Sequence, residues 1–413
     1  MRIAVVSKAD ATGGGASRVA NDIVESLASR GIAVKHLAAR SSQGWTDLRK
    51  PILGPKLPRI LLSKLQSTAR EFGLGEIIPF EVLSVLYAVR NYDLVHFHDT
   101  SSAFSPLTLF LVSKLKPVVW TFHDCSPFTG GCLYPQVVSC ERYKTTCGKC
   151  PQLHEWPLAS RLDTTGVALK LRRLLHKQGH VVTVAPSKWM QLEAIQSGNV
   201  SVEPTVISNM VNTTQFFDTD DRTGLRRRLG LNPEGLVIAL SSGLLSDVRK
   251  GVDDGIACIK QLKHLNPTLV MIGNPDPTLH SRLEGVDYMP TGYLRDREML
   301  RCWLAASDLF LFTSKADNQP LSIAEALACG TPVYGYPTGG AAEMIVDGQT
   351  GRFAQARAPE ELAEIIGNDV GSGQLFEMRH AARRHAESNF GEETFVMEHV
   401  NLYQATIKNW NKA

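Results

Sequence analysis

Long apolar runs are what this sequence most plainly lacks. No stretch of its 413 residues is apolar for long enough to cross a bilayer, so no transmembrane segment is expected. The opening MRIAVVSKAD is too short in apolar residues for a secretory leader and runs straight into a Gly-rich turn. Secretion is therefore not expected, and the cytoplasm is the expected compartment. An excess of one charge is also missing. The net charge of +3 is too small to point to nucleic acid, and no nucleic-acid partner is expected. Internal repeats and low-complexity segments are absent. So is the dinucleotide fingerprint G-x-G-x-x-G: begun at Gly13, its last position falls on Arg18, which disfavours a nicotinamide enzyme. What remains is an ordinary folded composition, 43% hydrophobic and 21% charged, in a chain long enough for two domains.

The apolar pattern predicts an α/β protein with two doubly wound, Rossmann-like domains facing a central cleft. A strand over 2–6 leads through Thr12-Gly13-Gly14-Gly15 to a helix over 16–30, and Ala33 to Ala38 is the next strand. Further strands are predicted over 94–98, 118–122, 181–185 and 205–207. Each ends in polar residues: His96, His98 and Asp99; His123 and Asp124; Ser187; Asn209. Residues 212–234 read as a linker with a leading helix. A second alternating unit begins at 237–241 and continues through a helix near 252–262, strands at 268–272 and 308–312, and a last clear strand at 333–336. Residues 360–411 read as helical. The domains are expected at 1–215 and 216–394, with a cysteine-rich insert at 125–151 and a C-terminal helix, 395–413, packing back on the first domain.

The stretch TSKADNQPLSIAEALACGTPVYGYPTGGAAEMI, residues 313–345, concentrates the chemistry. A short helix is predicted over 322–329, with Gly330 ending it and Pro332 opening a strand. Asp317 lies on the loop before this helix. Glu325 lies inside it among small apolar residues, where a carboxylate needs a partner. Two readings stand side by side: a core helix with one paired Glu, or a site for a phosphorylated, hydroxyl-rich ligand at a helix start.

Five of the eight cysteines, Cys125, Cys132, Cys140, Cys147 and Cys150, fall within 26 residues. Without a secretion signal, such clustering suggests metal before disulfides. Cys147-x2-Cys150 makes a knuckle pair, and Cys132 and Cys140 complete a four-thiolate set suited to structural zinc. Free thiols or disulfides are the alternatives. Residues 50–70 carry five basic residues, no acidic ones, and Ile, Leu and Pro between them. They read either as a membrane-surface patch or as a basic loop and helix beside an acceptor site.

Together these pieces resemble the retaining, metal-independent glycosyltransferases of the two-Rossmann-domain (GT-B) type, family 4, over residues 1 to about 395. The segment from Asp317 through Glu325 to ALACGTPV carries the resemblance best. Asp317 stands where the family more often has Glu, and Pro320 where it has Gly, which removes one amide donor. The cysteine insert, led by Phe-Thr-Gly-Gly-Cys, resembles a branch that makes bacterial exopolysaccharides, including colanic-acid-type enzymes. The resemblance implies that Glu325 holds the ribose of a nucleotide and Asp317 the hydroxyls of the transferred sugar. It also implies that Asn318, Gln319, Leu321 and Ser322 lie near sugar and phosphate, and that Arg249 and Lys250 contact the diphosphate. Leu244 stands at the family's usual upstream Arg. Gly14 and Gly15 match its glycine turn, and His123 its donor-sugar histidine. The base is expected near Gly292-Tyr293-Leu294. The implied donor is a UDP- or GDP-sugar, the implied acceptor a glycan or lipid-linked saccharide, and no catalytic cofactor is implied. A nucleotide-sugar epimerase and a zinc-stabilised, non-catalytic nucleotide-sugar binder are the competing functions.

Overall fold

The computed structural model describes residues 1–274 and 277–412. The chain divides into two units. The first holds Met1–Ser208 and takes the chain back at Glu393; the second holds Asn209–Glu392. The break at Ser208 precedes position 215, where the sequence alone set it.

The first unit is built on seven parallel strands: β1 (Arg2–Ser7), β2 (Ala33–Ala38), β3 (Arg49–Pro51), β4 (Leu94–Phe97), β5 (Val118–Thr121), β6 (Val181–Ala185) and β7 (Thr205–Val206). Their order in the sheet is β3-β2-β1-β4-β5-β6-β7. Helices cover both faces, so central strands read as continuous apolar runs: Ile3, Ala4, Val5 and Val6 are all fully buried. In register, Val6 lies between Leu37 and Phe97. The strand order reverses beside β1. The turn after β1 and the loops after β4 and β5 therefore open at one carboxyl edge, the usual place for a ligand in such sheets.

The second unit has six parallel strands: β8 (Val237–Leu244), β9 (Thr268–Asn274), β10 (Asp287–Gly292), β11 (Leu309–Phe312), β12 (Val333–Gly335) and β13 (Gly351–Phe353). Their order is β10-β9-β8-β11-β12-β13, with the reversal beside β8. Alternate residues feed two cores. Ala239, Phe310, Ile323 and Leu327 share one, and Leu240, Leu311 and Tyr334 the other. Strands β3, β10 and β13 escaped the sequence reading, and β13 displaces residues 333–336 as the last strand. Each is short, lies at or near a sheet edge, or carries Pro and charge, so pairing rather than pattern makes it a strand.

The tail forms three helices, Pro359–Ser372, Gln374–Asn389 and Glu392–Trp410. The last belongs to the first unit. Its Tyr403 is fully buried, with the hydroxyl 2.7 Å from His96 Nδ1. Among the described residues, no helix is long and apolar enough to cross a membrane.

Candidate functional site

The helix Leu321–Ala328 follows β11 through a tight loop. Pro320, with ψ of 122°, starts it without a side-chain cap. Gly330, at φ of +68°, ends it as the left-handed residue that glycine tolerates best. Ile323, Ala324, Leu327 and Ala328 fill the core and carry Glu325 inside with them, leaving it 5% exposed. The partner such a carboxylate needs includes Arg297, whose Nη2 lies 3.9 Å from Glu325 Oε1. Arg297 opens the helix Arg297–Ala306, and its guanidinium sits 5.1 Å from the Phe216 ring centre.

Asp317 is also buried. Lys250 Nζ lies 2.6 Å from its Oδ2, and Arg249 Nη1 lies 3.7 Å away. Burial alone would raise this carboxyl. Lys250 and then Arg249 outweigh burial, helped by a hydrogen bond from the Asn318 amide, and hold it below the usual carboxylate range. Asp317 is therefore an anion at neutral pH. The basic pair is itself fixed. Asp247 accepts from the Arg249 amide at 2.9 Å and from its guanidinium at 3.1 Å, and the Ala316 carbonyl accepts from Arg249 Nη1 at 3.0 Å. Gly251 then turns the chain at φ of +61°, where a Cβ would stand 2.0 Å from the Thr313 carbonyl oxygen. That carbonyl also accepts from Arg357 Nη2.

Asn318 and Gln319 are buried beside this pair. Gln319 bridges to the start of the unit: its side-chain oxygen accepts the Asn209 amide, and its carbonyl accepts from Asn209 Nδ2 at 3.2 Å. Leu321 and Ser322 are half-buried at the first helical positions. The second unit thus assembles Arg249, Lys250, Asp317, Asn318, Gln319, Leu321, Ser322 and Glu325 around one loop and helix. Tyr293 is half-buried just after β10, where Gly292 turns at φ of +71°. Leu244, 59% exposed, carries no charge to this region. A fixed cation pair, an ionised carboxylate and a second buried carboxylate can bind a ligand that is both anionic and hydroxylated.

In the first unit, Gly14 takes φ of +108° and Gly15 opens the helix Gly15–Ser29 with open space where a Cβ would be. Gly13 is tightly held instead: a Cβ there would stand 2.4 Å from that of Ala9. His123 follows β5 and is half-buried. Its Nε2 lies 2.9 Å from His98 Nδ1, and His98 Nε2 lies 3.3 Å from His96 Nδ1. Burial, reinforced by His399, lowers His123 to about 3, so the ring is neutral. The row His123–His98–His96–Tyr403 was invisible to motif reading, because its members come from β4, the end of β5 and the last helix.

Cys132, Cys140, Cys147 and Cys150 line one small cavity with Arg142 and Tyr143. Among the described residues, no three Cys, His, Asp or Glu side chains are drawn together closely enough to hold a metal ion.

Comparison with known proteins identifies the two units. A model described as Glycosyltransferase Family 4 matches residues 13–215, and one described as Glycosyl transferases group 1 matches residues 236–368. The two units carry the glycosyltransferase domains these models describe. It is similar to a D-inositol 3-phosphate glycosyltransferase of Streptomyces scabiei (strain 87.22), 28% identical over 49% of this chain and 48% of the relative. The match thus spans about half the length of that relative. It is also similar to the Escherichia coli (strain K12) glycosyl transferase WcaC, named for colanic acid biosynthesis, at 24% identity over 75% of this chain and 76% of WcaC. Among solved structures, Anabaena Alr3699/HepE in complex with UDP and glucose matches with a TM-score of 0.66 and 20% identity, over 98% of this chain and 99% of that one. The fold is the two-domain α/β fold of GT-B glycosyltransferases, as the two parallel sheets already indicated. The group 1 match contains Arg249, Lys250, Tyr293, Arg297, Asp317 and Glu325, while Asn209 and Phe216 precede it.

Proposed function

We propose that this glycosyltransferase moves a sugar, with retention of configuration, from a UDP- or GDP-sugar to a hydroxyl of a glycan or lipid-linked saccharide in bacterial surface polysaccharide synthesis. The observation that carries the reading is buried Asp317 held by half-buried Lys250 and Arg249, with buried Glu325 on the helix that follows. The cations suit a leaving diphosphate, and the carboxylates suit sugar and ribose hydroxyls. In this reading Arg249 and Lys250 offset the charge that grows on the leaving phosphate. Leu244 contributes no charge, so that work falls on this pair. Glu325 holds the ribose, Asp317 a hydroxyl of the transferred sugar, and the amides at Asn318, Gln319, Leu321 and Ser322 approach sugar and phosphate, with none available from Pro320. Tyr293 lies by the base. In the first unit, His123 meets the transferred sugar, and Gly14 and Gly15 leave room for close approach. The acceptor attacks the face that the diphosphate leaves, and the leaving phosphate takes the acceptor proton, so no side-chain base is assigned. The named pathway of WcaC and the UDP and glucose of Alr3699/HepE support the substrate classes. The helix Lys56–Glu71 exposes Leu57, Ile60, Leu61 and Leu65 among basic residues, which supports peripheral contact with an anionic membrane on the cytoplasmic side.

Glu325→Ala tests the assignment. Loss of a buried hydrogen-bonded carboxylate from a binding site is expected to lower kcat/KM at least a hundredfold, on the order of 3 kcal/mol. Wild-type turnover in a folded Glu325→Ala protein would refute it. Incubation with nucleotide sugars alone separates the alternatives: an isomerised donor marks an epimerase, and binding without transfer to any acceptor marks a binder.

A further inference from the structure

From His123 to Thr164 the first unit forms no strand and no α-helix, only the short 3-10 turns Ser126–Phe128, Pro135–Val138 and Arg142–Lys144. Structureless connections beyond about 12–15 residues are uncommon in compact domains and need a reason to hold their shape. Phe128, Tyr134 and Tyr143 anchor parts of this insert in the core. The turn Cys147–Cys150 has little apolar anchorage, yet its backbone is closely specified. Gly148 and Lys149 both take positive φ, +114° and +51°, the second uncommon for a residue with a side chain. Thr165 Oγ1 accepts from the Gly148 amide at 3.0 Å, and Asp163 accepts from the Cys150 amide at 2.6 Å.

We infer that Cys132, Cys140, Cys147 and Cys150 are a four-thiolate zinc site that staples this insert. All four thiols line one cavity of about 20 Å³, and none is in a disulfide. Two sulfurs already accept backbone N–H groups: Cys147 from Gly130 and Cys150 from Gln152. Such bonds orient a ligand and spread thiolate charge. Arg142 lines the same cavity, and the Arg172 guanidinium acts on Cys147, while the Asp163 carboxylate opposes Arg142 at Cys150. Arg172 is only 4% exposed and pairs with Glu76 at 2.5 Å, while its Nε and Nη1 make no hydrogen bond. A buried cation with unused donors is costly beside neutral thiols and favourable beside a tetrathiolate site, whose net charge is −2. Soft thiolates in a four-coordinate set select zinc over the hard divalent ions. The sulfurs stand apart, so the ion must draw them inward. Binding forms four Zn–S bonds and releases the thiol protons to solvent, so affinity falls as pH falls. The site is independent of the transferase reading.

The test uses the full chain, produced with zinc present. Elemental analysis is expected to give about one zinc per chain, retained on gel filtration. A mercurial titration followed with a zinc-binding dye should release that zinc as the four thiols react. Replacing the zinc with Co2+ should produce the intense sulfur-to-cobalt charge-transfer absorption of tetrahedral thiolate ligation. Cys302→Ser, in the second unit, should leave the metal content unchanged, and Cys140→Ser should weaken retention at least tenfold. Folded wild-type protein that carries less than a tenth of an equivalent and shows no cobalt–thiolate absorption overturns the inference. So does a native Cys147–Cys150 disulfide found by mass, or full zinc retention in a Cys140→Ser/Cys147→Ser protein.

Discussion

Mild acid should unfold the first unit, and buried histidines set the size of the effect. His36, His176 and His399 are each held at about 4, and His123 at about 3, against an ordinary value of 6.5. Burial is the main cause in every case, with Arg49 adding to it at His36. His96 and His98 are pushed in the same direction, again mainly by burial. These rings are neutral in the fold and protonate readily once the chain unfolds. Their contribution is intact above pH 6.5 and is lost as the pH falls from there towards 4. Between pH 7 and pH 5 each of the four costs about 2 kcal/mol, or about 7 kcal/mol together if they titrate independently. Asp124 acts the other way. Burial raises it to about 6, so it takes up a proton first in the folded state and returns about 1 kcal/mol over the same interval. Asp99 and Glu81, also raised chiefly by burial, oppose the loss too. The remainder, on the order of 5 kcal/mol, rivals the whole stability of a typical domain. Urea unfolding followed by tryptophan fluorescence at pH 7 and pH 5 measures it, since Trp45, Trp120, Trp156, Trp189 and Trp410 all lie in the first unit. His176 stacks on Trp120 with centroids 5.7 Å apart, and His176→Gln should flatten the pH dependence by about 2 kcal/mol. An unfolding midpoint that is the same at pH 7 and pH 5 would sink the reasoning.

Three other perturbations follow from the second unit and the exposed helix. Lys250→Met leaves the buried Asp317 with a weaker partner and should destabilise the second unit by about 3 kcal/mol, much of it recovered in Lys250→Met/Asp317→Asn; a double-mutant cycle by urea denaturation reads the coupling. Gly251→Ala combines a strained φ with a clash against the Thr313 carbonyl and should cost roughly 2 kcal/mol or more, seen as a lower thermal midpoint. Leu57→Ser/Leu61→Ser should abolish salt-sensitive sedimentation with anionic liposomes while leaving the fold intact by circular dichroism; sedimentation equal to wild type would remove the membrane contact.

The sequence made some parts of this molecule legible and hid others for physical reasons. Strand 181–185 was read to the residue, because a sheet covered on both faces favours a nearly continuous apolar run such as VVTVA. Strand 33–38 was read equally well despite Lys35 and His36, because Gly31 marks where the preceding helix stops. Gly330 announced the end of its helix because few other residues accept that conformation. Arg49–Pro51 and Asp287–Gly292 gave no such signal, since their side chains do not pay for strand formation and a neighbouring strand does. Burial of Glu325 was readable from its apolar helix, but Arg297 as a partner was not: nothing local marks it. Lys250 and Asp317 were both singled out, yet their 2.6 Å contact joins positions 67 residues apart.

The Tyr403–His96 hydrogen bond has a consequence for how the chain is made. Both groups are buried in the first unit, but one emerges from the ribosome long after the other. At typical synthesis rates of 5–20 residues per second, Tyr403 arrives about 10–40 s after Ser208 completes the rest of that unit. Throughout that interval His96 and its neighbours lack the helix that covers them. The nascent first unit therefore waits, partly open, while the whole second unit is synthesised. A chain stopped before Glu393 would leave that opening permanent, a natural mark for a chaperone or a protease.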